Sequence, residues 1–214
     1  MAETRLILIR HGETEWNRDG RIQGYHADSP LTANGRVQAR RVAERLESER
    51  VEALYSSDAG RTRQTAAPIV AALGLDIVYD PALRERNYGE FEGRTYLEIE
   101  QDYPEEFRKL RARDPSYAPP EGESAAQFRD RIVAALERVA ARAAGRQVAV
   151  ITHGGVLGIA YRHATGMTLE AKRDYSMQNA SINRLAYSSG RWLVEAWGDV
   201  AHLPPGSSDG PGTA

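Results

Sequence analysis

Short apolar runs that alternate with amphipathic helices are the feature that most constrains the fold of this chain. Runs of this length, rich in branched side chains, are typical of buried strands. The predicted strands cover residues 4–9, 51–56, 76–79, 148–152, 184–187 and 191–197, the last two as a hairpin. Because alternating strands and helices build parallel sheets with both faces covered, we expect a three-layer α/β/α sandwich with a mostly parallel central sheet.

The helices are predicted from apolar side chains that recur on one face. In residues 31–49, Ala39, Val42, Ala43 and Leu46 follow the i, i+3, i+4, i+7 spacing of a helix stripe, and Thr32 is a candidate N-cap. Further helices are expected from residue 59 to a stop at Gly74, and over 124–144 and 155–165. Residues 92–120 are polar and weakly periodic, which favours a small helical lid inserted between core elements.

Length and composition limit the class of protein. The 214 residues carry 28 Lys and Arg against 30 Asp and Glu, which gives no bulk attraction to nucleic acid or an anionic membrane. The absence of Cys excludes disulfides and thiol nucleophiles. No apolar run reaches the length of a signal sequence or membrane helix, so we expect a cytoplasmic protein. We predict one domain over residues 1–200 and a flexible tail over 201–214, rich in Pro, Gly and Ser.

Two histidines follow predicted strands directly. His11 comes after the first strand and His153 after the strand at 148–152, and each is followed by Gly. Ligands of α/β proteins bind at the carboxyl ends of strands, so we predict that these two strands are neighbours and bring the histidines together. Arg10 disfavours the imidazolium form of His11 and keeps the ring nucleophilic. Taken singly, each histidine is equally compatible with ordinary packing or surface use.

A series of short motifs spans the chain in a fixed order. They are Arg10-His11-Gly12-Glu13-Thr14, Trp16-Asn17, Leu31-Thr32, Ser56-Ser57 with Arg61, Leu83 and Glu85 with Gly89 and Glu92-Gly93, Gly122-Glu123-Ser124, Thr152-His153-Gly154-Gly155 and Asn179-Ala180-Ser181. Together they resemble the signature of the histidine phosphatase superfamily, also called the phosphoglycerate mutase-like family. The resemblance covers about residues 4 to 197, nearly the whole expected domain.

The resemblance implies a phosphohistidine mechanism with a role for each matching residue. His11 is similar to the nucleophile that accepts the phosphoryl group, and Glu85 to the acid that protonates the leaving oxygen and then activates the second acceptor. Arg10, Arg61 and His153 resemble the phosphate pocket, and Asn17, Gln23, Gly24 and Gly154 resemble substrate-binding positions. A phosphoryl group in transfer spreads its negative charge over three oxygens, and the planar guanidinium groups of arginine are suited to bind them. At the predicted start of a helix, Arg61 would add free backbone N–H groups for an anion.

Water or a substrate hydroxyl can take the phosphoryl group from His11, giving a phosphatase or a mutase. The lid segment (92–120) holds five basic and seven acidic side chains, and this negative balance disfavours the enclosure of a polyanion. It also lacks the paired arginines followed by Ser-Tyr or Ser-Phe that glycolytic mutases of this family carry. We therefore expect a phosphomonoester hydrolase of the phosphatase branch, with 2,3-bisphosphoglycerate-dependent phosphoglycerate mutase as the alternative.

Rival functions fit the sequence less well. A metal hydrolase is disfavoured because the arginines beside His11 and His153 would repel a cation. A module that only binds phosphorylated ligands needs neither a nucleophile nor an acid. No basic stripe with interleaved aromatics marks a nucleic-acid interface. We thus expect a small phosphorylated metabolite as the partner, no metal or cofactor, no membrane or nucleic-acid partner, and a monomer or homodimer.

Overall fold

The computed structural model describes residues 3–204 of the chain. The strands within them are β1 (Thr4–Arg10), β2 (Ala53–Ser56), β3 (Ile77–Tyr79), β4 (Gln147–Thr152), β5 (Ile182–Ser188) and β6 (Arg191–Asp199). They form one sheet in the order β3-β2-β4-β1-β5-β6. The first four strands of that order run parallel, while β5 and β6 are antiparallel and form the expected hairpin.

The helices lie close to their predicted positions. They are α1 (Glu15–Arg18), α2 (Ala33–Glu47), α3 (Gly60–Leu73), α4 (Tyr96–Asp102), α5 (Pro104–Ala112), α6 (Ala125–Arg142) and α7 (Gly154–Thr165). The Thr32 hydroxyl caps α2 by accepting from the N–H of Gly35 at 2.9 Å. Gly74 ends α3 with φ of 64°, a left-handed conformation suited to glycine. Helix α1 was not predicted, because a single turn is too short to show periodicity.

Side chains point alternately to the two faces of the sheet along each strand, and this divides the core into two layers. On β1, Leu6 and Leu8 pack with α6 and α7, whereas Ile7 and Ile9 pack with α2 and α3 on the opposite face. Both sides of the sheet are therefore buried, as the continuous apolar run of β1 requires. The predicted mixed α/β fold with three layers and a mostly parallel sheet is confirmed.

The predicted adjacency of the two histidine-bearing strands is confirmed. Strands β1 and β4 pair in parallel with Arg10 opposite Thr152, and the His11 N–H donates to the Thr152 carbonyl at 2.9 Å. Both strands end at the same sheet edge, so His11 and His153 leave the sheet side by side. The central strands thus deliver both imidazoles to one place.

The lid segment contains α4 and α5, which pack around Ile22, Phe91 and Ile99. At the other end of the domain, residues 201–204 form a turn in which Leu203 packs against the α2–α3 side. The rest of the predicted tail, residues 205–214, lies outside the described residues. No helix within residues 3–204 is long and apolar enough to cross a membrane.

Candidate active site

A cavity of about 170 Å³ opens at the carboxyl ends of β1 and β4. The residues predicted for the site that line it are Arg10, His11, Asn17, Gln23, Arg61, Glu85 and Gly154. Gly24 and His153, also predicted, lie behind the cavity wall. Segments far apart in the sequence therefore converge on one space, and most of the predicted residues meet there.

His11 presents one ring nitrogen to the cavity. Its Nδ1 lies 2.8 Å from the carbonyl oxygen of Gly12, and because a carbonyl only accepts, Nδ1 carries the hydrogen. The lone pair is then on Nε2, which has no hydrogen-bond partner within residues 3–204. Burial, followed by the charges of Arg61 and Arg10, holds the pKa of His11 well below its usual range. The ring is therefore neutral and oriented, the state that the predicted nucleophilic role requires.

His153 stands behind His11 and does not reach the cavity surface. The ring is fully buried, and its centroid lies 5.4 Å from that of His11 in an edge-on arrangement. Its Nε2 is 2.8 Å from the Ser57 hydroxyl, and its Nδ1 has no hydrogen-bond partner among the described residues. Burial and the Arg61 charge lower the pKa of His153 well below its usual value. Direct contact between His153 and a phosphate therefore stays a prediction.

Arg61 is a fully buried cation aimed at the cavity. The Asp28 carboxylate accepts from its Nη1 at 2.8 Å and from its backbone N–H at 3.2 Å, and Nη2 donates to the Gly24 carbonyl at 2.9 Å. Its Nε is buried and has no hydrogen-bond partner in the part of the chain that the structure describes. The expectation that the Arg61 backbone N–H serves an incoming anion is wrong, because Asp28 already occupies the start of α3. Anion binding by the guanidinium itself stays a prediction, and the Gly24 carbonyl helps to position that group.

Arg10 and Gly154 form another part of the wall. The Arg10 Nη1 donates to the Met177 carbonyl, which fixes the guanidinium across the cavity. A Cβ added to Gly154 would lie 3.3 Å from the Arg10 Nε, so the guanidinium rests against the first turn of α7. The positive end of that helix and the arginine therefore face the same space.

Glu85 is held by backbone donors beside the cavity. Its Oε2 accepts from the N–H of Gly155 at 2.8 Å, and its Oε1 accepts from the N–H of Arg86 at 2.8 Å. A Cβ on Gly155 would come within 2.0 Å of the Glu85 Oε1. Gly155 is thus required for the close approach of this carboxyl group to α7.

Asn17 is oriented by its neighbours. Its Oδ1 accepts from the Thr14 backbone N–H at 3.2 Å and from the Asn179 Nδ2 at 3.1 Å. The same Asn179 amide donates to the His11 carbonyl at 3.0 Å. With its oxygen engaged, Asn17 has its Nδ2 left as a donor where the residue lines the cavity, and donation to an anion stays a prediction.

Comparison with models of protein families agrees with the geometry of the site. The model of the histidine phosphatase superfamily (branch 1) matches residues 6–200. The chain belongs to the histidine phosphatase superfamily. It is 39% identical over 204 residues to the "Probable phosphoglycerate mutase GpmB" of Escherichia coli O1:K1 / APEC, covering 93% of this chain and 94% of that one.

Solved structures of superfamily proteins have the same fold. Bacillus stearothermophilus YhfR superposes with a TM-score of 0.87 at 34% identity, over 94% of this chain and all of that one. The alpha-ribazole phosphatase from Shigella flexneri gives a TM-score of 0.84 at 25% identity, over 93% and 97% of the two chains. Among these relatives the Escherichia coli protein carries the name of a mutase and the Shigella flexneri protein that of a phosphatase, the two activities that the sequence analysis leaves open.

Sequence reasoning missed several residues of this superfamily site. The cavity is also lined by Arg21, Ile22, Tyr88, Tyr96, Gly155, Arg173 and Met177. Arg173 and Met177 come from the irregular segment after α7, which has no periodicity that would place it. Arg21 is held by both carboxylate oxygens of Glu98 in α4, at 2.9 and 3.2 Å. Arg21, Tyr88, Tyr96 and Arg173 offer only a cation or a hydroxyl as a signal, which is too frequent in sequences to select them.

Glu92 has a role that its motif did not reveal. Its carboxylate accepts from the backbone N–H groups of Tyr25, His26, Ala27 and Tyr88, at 2.7 to 3.1 Å. It thereby fixes the loop whose carbonyl groups hold Arg61. In this member of the superfamily Glu92 supports the predicted phosphate pocket and is not among the residues that line the cavity.

Proposed function

We propose that this protein hydrolyses small phosphomonoesters through a phosphohistidine formed on His11. The observation that carries the proposal is the state of that ring, which is neutral, has its hydrogen on Nδ1 and turns Nε2 into a cavity with two arginines. A nucleophile in this state needs no separate base to activate it.

Two displacements complete the reaction. The Nε2 lone pair attacks phosphorus, the ester P–O bond breaks, and protonated Glu85 gives its proton to the leaving oxygen. Water then attacks the phosphohistidine, Glu85 takes the water proton, and the P–N bond breaks to release phosphate. The Glu85 position beside Gly155 at the cavity wall supports both proton transfers.

The surrounding donors act on the charge that develops during transfer. Arg10, Arg61 and the Asn17 amide face the space in which the equatorial oxygens would lie. Because Asp28, Gly24 and Met177 already fix these groups, they need little reorganisation when the phosphoryl group moves. Preorganised donors of this kind stabilise the transition state more than the ground state.

The direct test is to trap the phosphoenzyme. After mixing with a radiolabelled phosphomonoester and quenching, label is expected on His11, stable to alkali and lost in acid. His11→Ala is expected to abolish both label and turnover, while His26→Ala, an exposed control, retains both. Turnover at the wild-type rate in His11→Ala would overturn the proposal. Turnover is expected to survive a chelator, and sensitivity to one would favour metal-assisted hydrolysis.

A phosphoglycerate mutase is the second candidate, favoured by the name of the 39% identical relative. It would use the same His11 but pass the phosphoryl group to a substrate hydroxyl. The protein is therefore assayed with 3-phosphoglycerate, with and without 2,3-bisphosphoglycerate. Release of free phosphate faster than isomer formation supports the hydrolase, and the reverse supports the mutase.

A further inference from the structure

Gln38 is a buried amide on the apolar face of α2. It lies one turn after Gly35 and next to Ala39, and the residue is only 2% exposed. Its Oε1 accepts from the backbone N–H of Glu13 at 2.8 Å. That N–H can only donate, so the near atom of the amide is the oxygen. Gln38 is thus a buried acceptor held on the loop that follows His11, and the reaction proposed above gives it no role.

The peptide unit between Gly12 and Glu13 joins this amide to His11. Its N–H, on Glu13, donates to the Gln38 Oε1, and its carbonyl, on Gly12, accepts from the His11 Nδ1 at 2.8 Å. The two hydrogen bonds lie at opposite ends of one planar amide, in which donation by the N–H makes the carbonyl a stronger acceptor. The Gln38 oxygen therefore acts through this peptide unit on the hydrogen of the His11 ring.

Two glycines bring α2 close enough for this contact. A Cβ on Gly12 would lie 2.5 Å from the Gly35 carbonyl oxygen, and a Cβ on Gly35 would lie 2.0 Å from the Glu13 carbonyl oxygen. The same Glu13 carbonyl accepts from the Thr32 N–H at 2.9 Å. The loop after His11 is therefore packed against the first turns of α2, which fixes the distance between Gln38 and the Glu13 N–H.

Phosphorylation would change the charge of the ring that this peptide unit contacts. When Nε2 bonds to phosphorus and the ester P–O bond breaks, the hydrogen stays on Nδ1 and the ring becomes a cation. The Arg61 and Arg10 charges lower the pKa of His11, whereas the hydrogen bond to the Gly12 carbonyl acts in the opposite direction. A stronger acceptor at this carbonyl therefore offsets part of the repulsion that the arginines exert on the charged ring.

We infer that Gln38 is a positioning residue for the phosphoryl transfer, which holds the hydrogen of His11 on Nδ1 through the Gly12–Glu13 peptide and stabilises the charge that the ring gains. The inference rests on the proposed function and adds to it a residue outside the cavity. Only the form of a neutral imidazole with its hydrogen on Nδ1 has a lone pair on Nε2 for phosphorus. Without the Gln38 acceptor, the Glu13 N–H loses its partner and the peptide unit is free to turn its carbonyl away from the ring.

The test measures the rate of His11 labelling and the position of the ring hydrogen. In rapid-quench single turnovers at saturating radiolabelled phosphomonoester, Gln38→Met, of similar length but without the oxygen, is expected to slow labelling about ten-fold to a hundred-fold. Heteronuclear NMR spectra of the ring nitrogens are expected to show no hydrogen on Nε2 in the wild type and a mixture of both tautomers in Gln38→Met. Inhibition by inorganic phosphate, which probes binding of the anion, is expected to change little.

Three more variants separate a lost acceptor from general damage. Gln38→Glu keeps an oxygen at the same place, so it is expected to keep the wild-type tautomer and rate of labelling. Gln38→Asn has an amide that falls one methylene short of the Glu13 N–H, so it is expected to behave as Gln38→Met does. Thr4→Val removes a buried hydroxyl at the far end of β1 and is expected to leave both measurements unchanged.

A wild-type rate of labelling in Gln38→Met and Gln38→Asn, or ring spectra that are unchanged in both, overturns the inference. So does an equal loss of rate in Gln38→Glu, because the residue would then serve only to fill its place in the core. Each of these results leaves the proposed function intact as long as the wild type is labelled on His11. Absence of that label from the wild type would instead overturn the proposed function itself.

Discussion

Acidification should destabilise this protein through its two buried histidines. Burial is the largest cause of the lowered pKa of both His11 and His153, and the Arg61 charge is the next. In the unfolded chain each ring takes up a proton near its ordinary pKa of 6.5, while the folded protein resists protonation until lower pH. The unfolded state then binds more protons, so stability is fully present above pH 6.5 and is lost as the pH falls below it.

The size of the effect follows from proton linkage. Each group contributes about 1.4 kcal/mol per pH unit where it is charged only in the unfolded state. Allowing for the gradual onset around pH 6.5, each histidine removes about 1 kcal/mol between pH 6.5 and 5.5. The two together should lower the free energy of unfolding by about 2 kcal/mol, a substantial part of the stability of an ordinary domain.

Urea unfolding at pH 7.5, 6.5 and 5.5, in buffers free of phosphate, measures this loss. His11→Gln and His153→Gln should each remove about half of it, and His26→Gln, on the surface, should remove none. The partly buried His202 also has a lowered pKa, but it is present in the wild type and in every variant, so its contribution cancels in the comparison. If His11→Gln and His153→Gln lose as much stability in acid as the wild type, the assignment of buried neutral imidazoles is refuted.

Three further changes probe the supports of the site. Glu85→Gln should reduce kcat/KM, which reports phosphoryl transfer to His11, about a hundred-fold for alkyl phosphates and much less for p-nitrophenyl phosphate, whose leaving group needs no proton; equal losses of kcat/KM would contradict the acid role. Gly155→Ala should give the same leaving-group dependence with little change in KM, because the new Cβ displaces Glu85. Gly24→Ala places a Cβ 1.9 Å from the Glu92 Oε1, so the free energy of unfolding should fall by about 2 kcal/mol in thermal melting experiments. An unchanged melting temperature would show that Glu92 does not organise this loop.

Much of the fold could be predicted from the sequence because burial imposes a periodic pattern of apolar residues on strands and helices. The apolar run ending at Arg10 and the run ending at Thr152 each fill both faces of the sheet, which only central parallel strands do. Their adjacency, and with it the meeting of His11 and His153, followed from where parallel strands end. Helix limits differed from prediction by only a few residues, because capping residues such as Thr32 carry local signals.

The supports of the site were not predictable, because they join loops that carry no repeat. Asp28 binds Arg61 from 33 residues away, and Glu92 binds backbone groups more than 60 residues away. In the sequence Asp28 does not differ from an ordinary solvated acid, and the Glu92-Gly93 motif does not reveal which groups Glu92 binds. Such contacts depend on the path of irregular segments, which is set only when the whole domain packs.

The lid segment shows why a count of formal charge is a poor measure of the field at a site. Its net charge of −2 suggested a surface unsuited to polyanions, but its acids are largely engaged in local pairs: Glu98 with Arg21, Asp102 with Arg94, Glu105 with Arg108, and Glu106 with Lys109. Arg173, from outside the lid, adds a cation to the cavity that the count never included. The choice between water and a substrate hydroxyl therefore depends on which groups face the phosphohistidine. Under the proposed function Glu85 is one of those groups, so the acceptor is decided by the groups at the cavity wall rather than by the total charge around it.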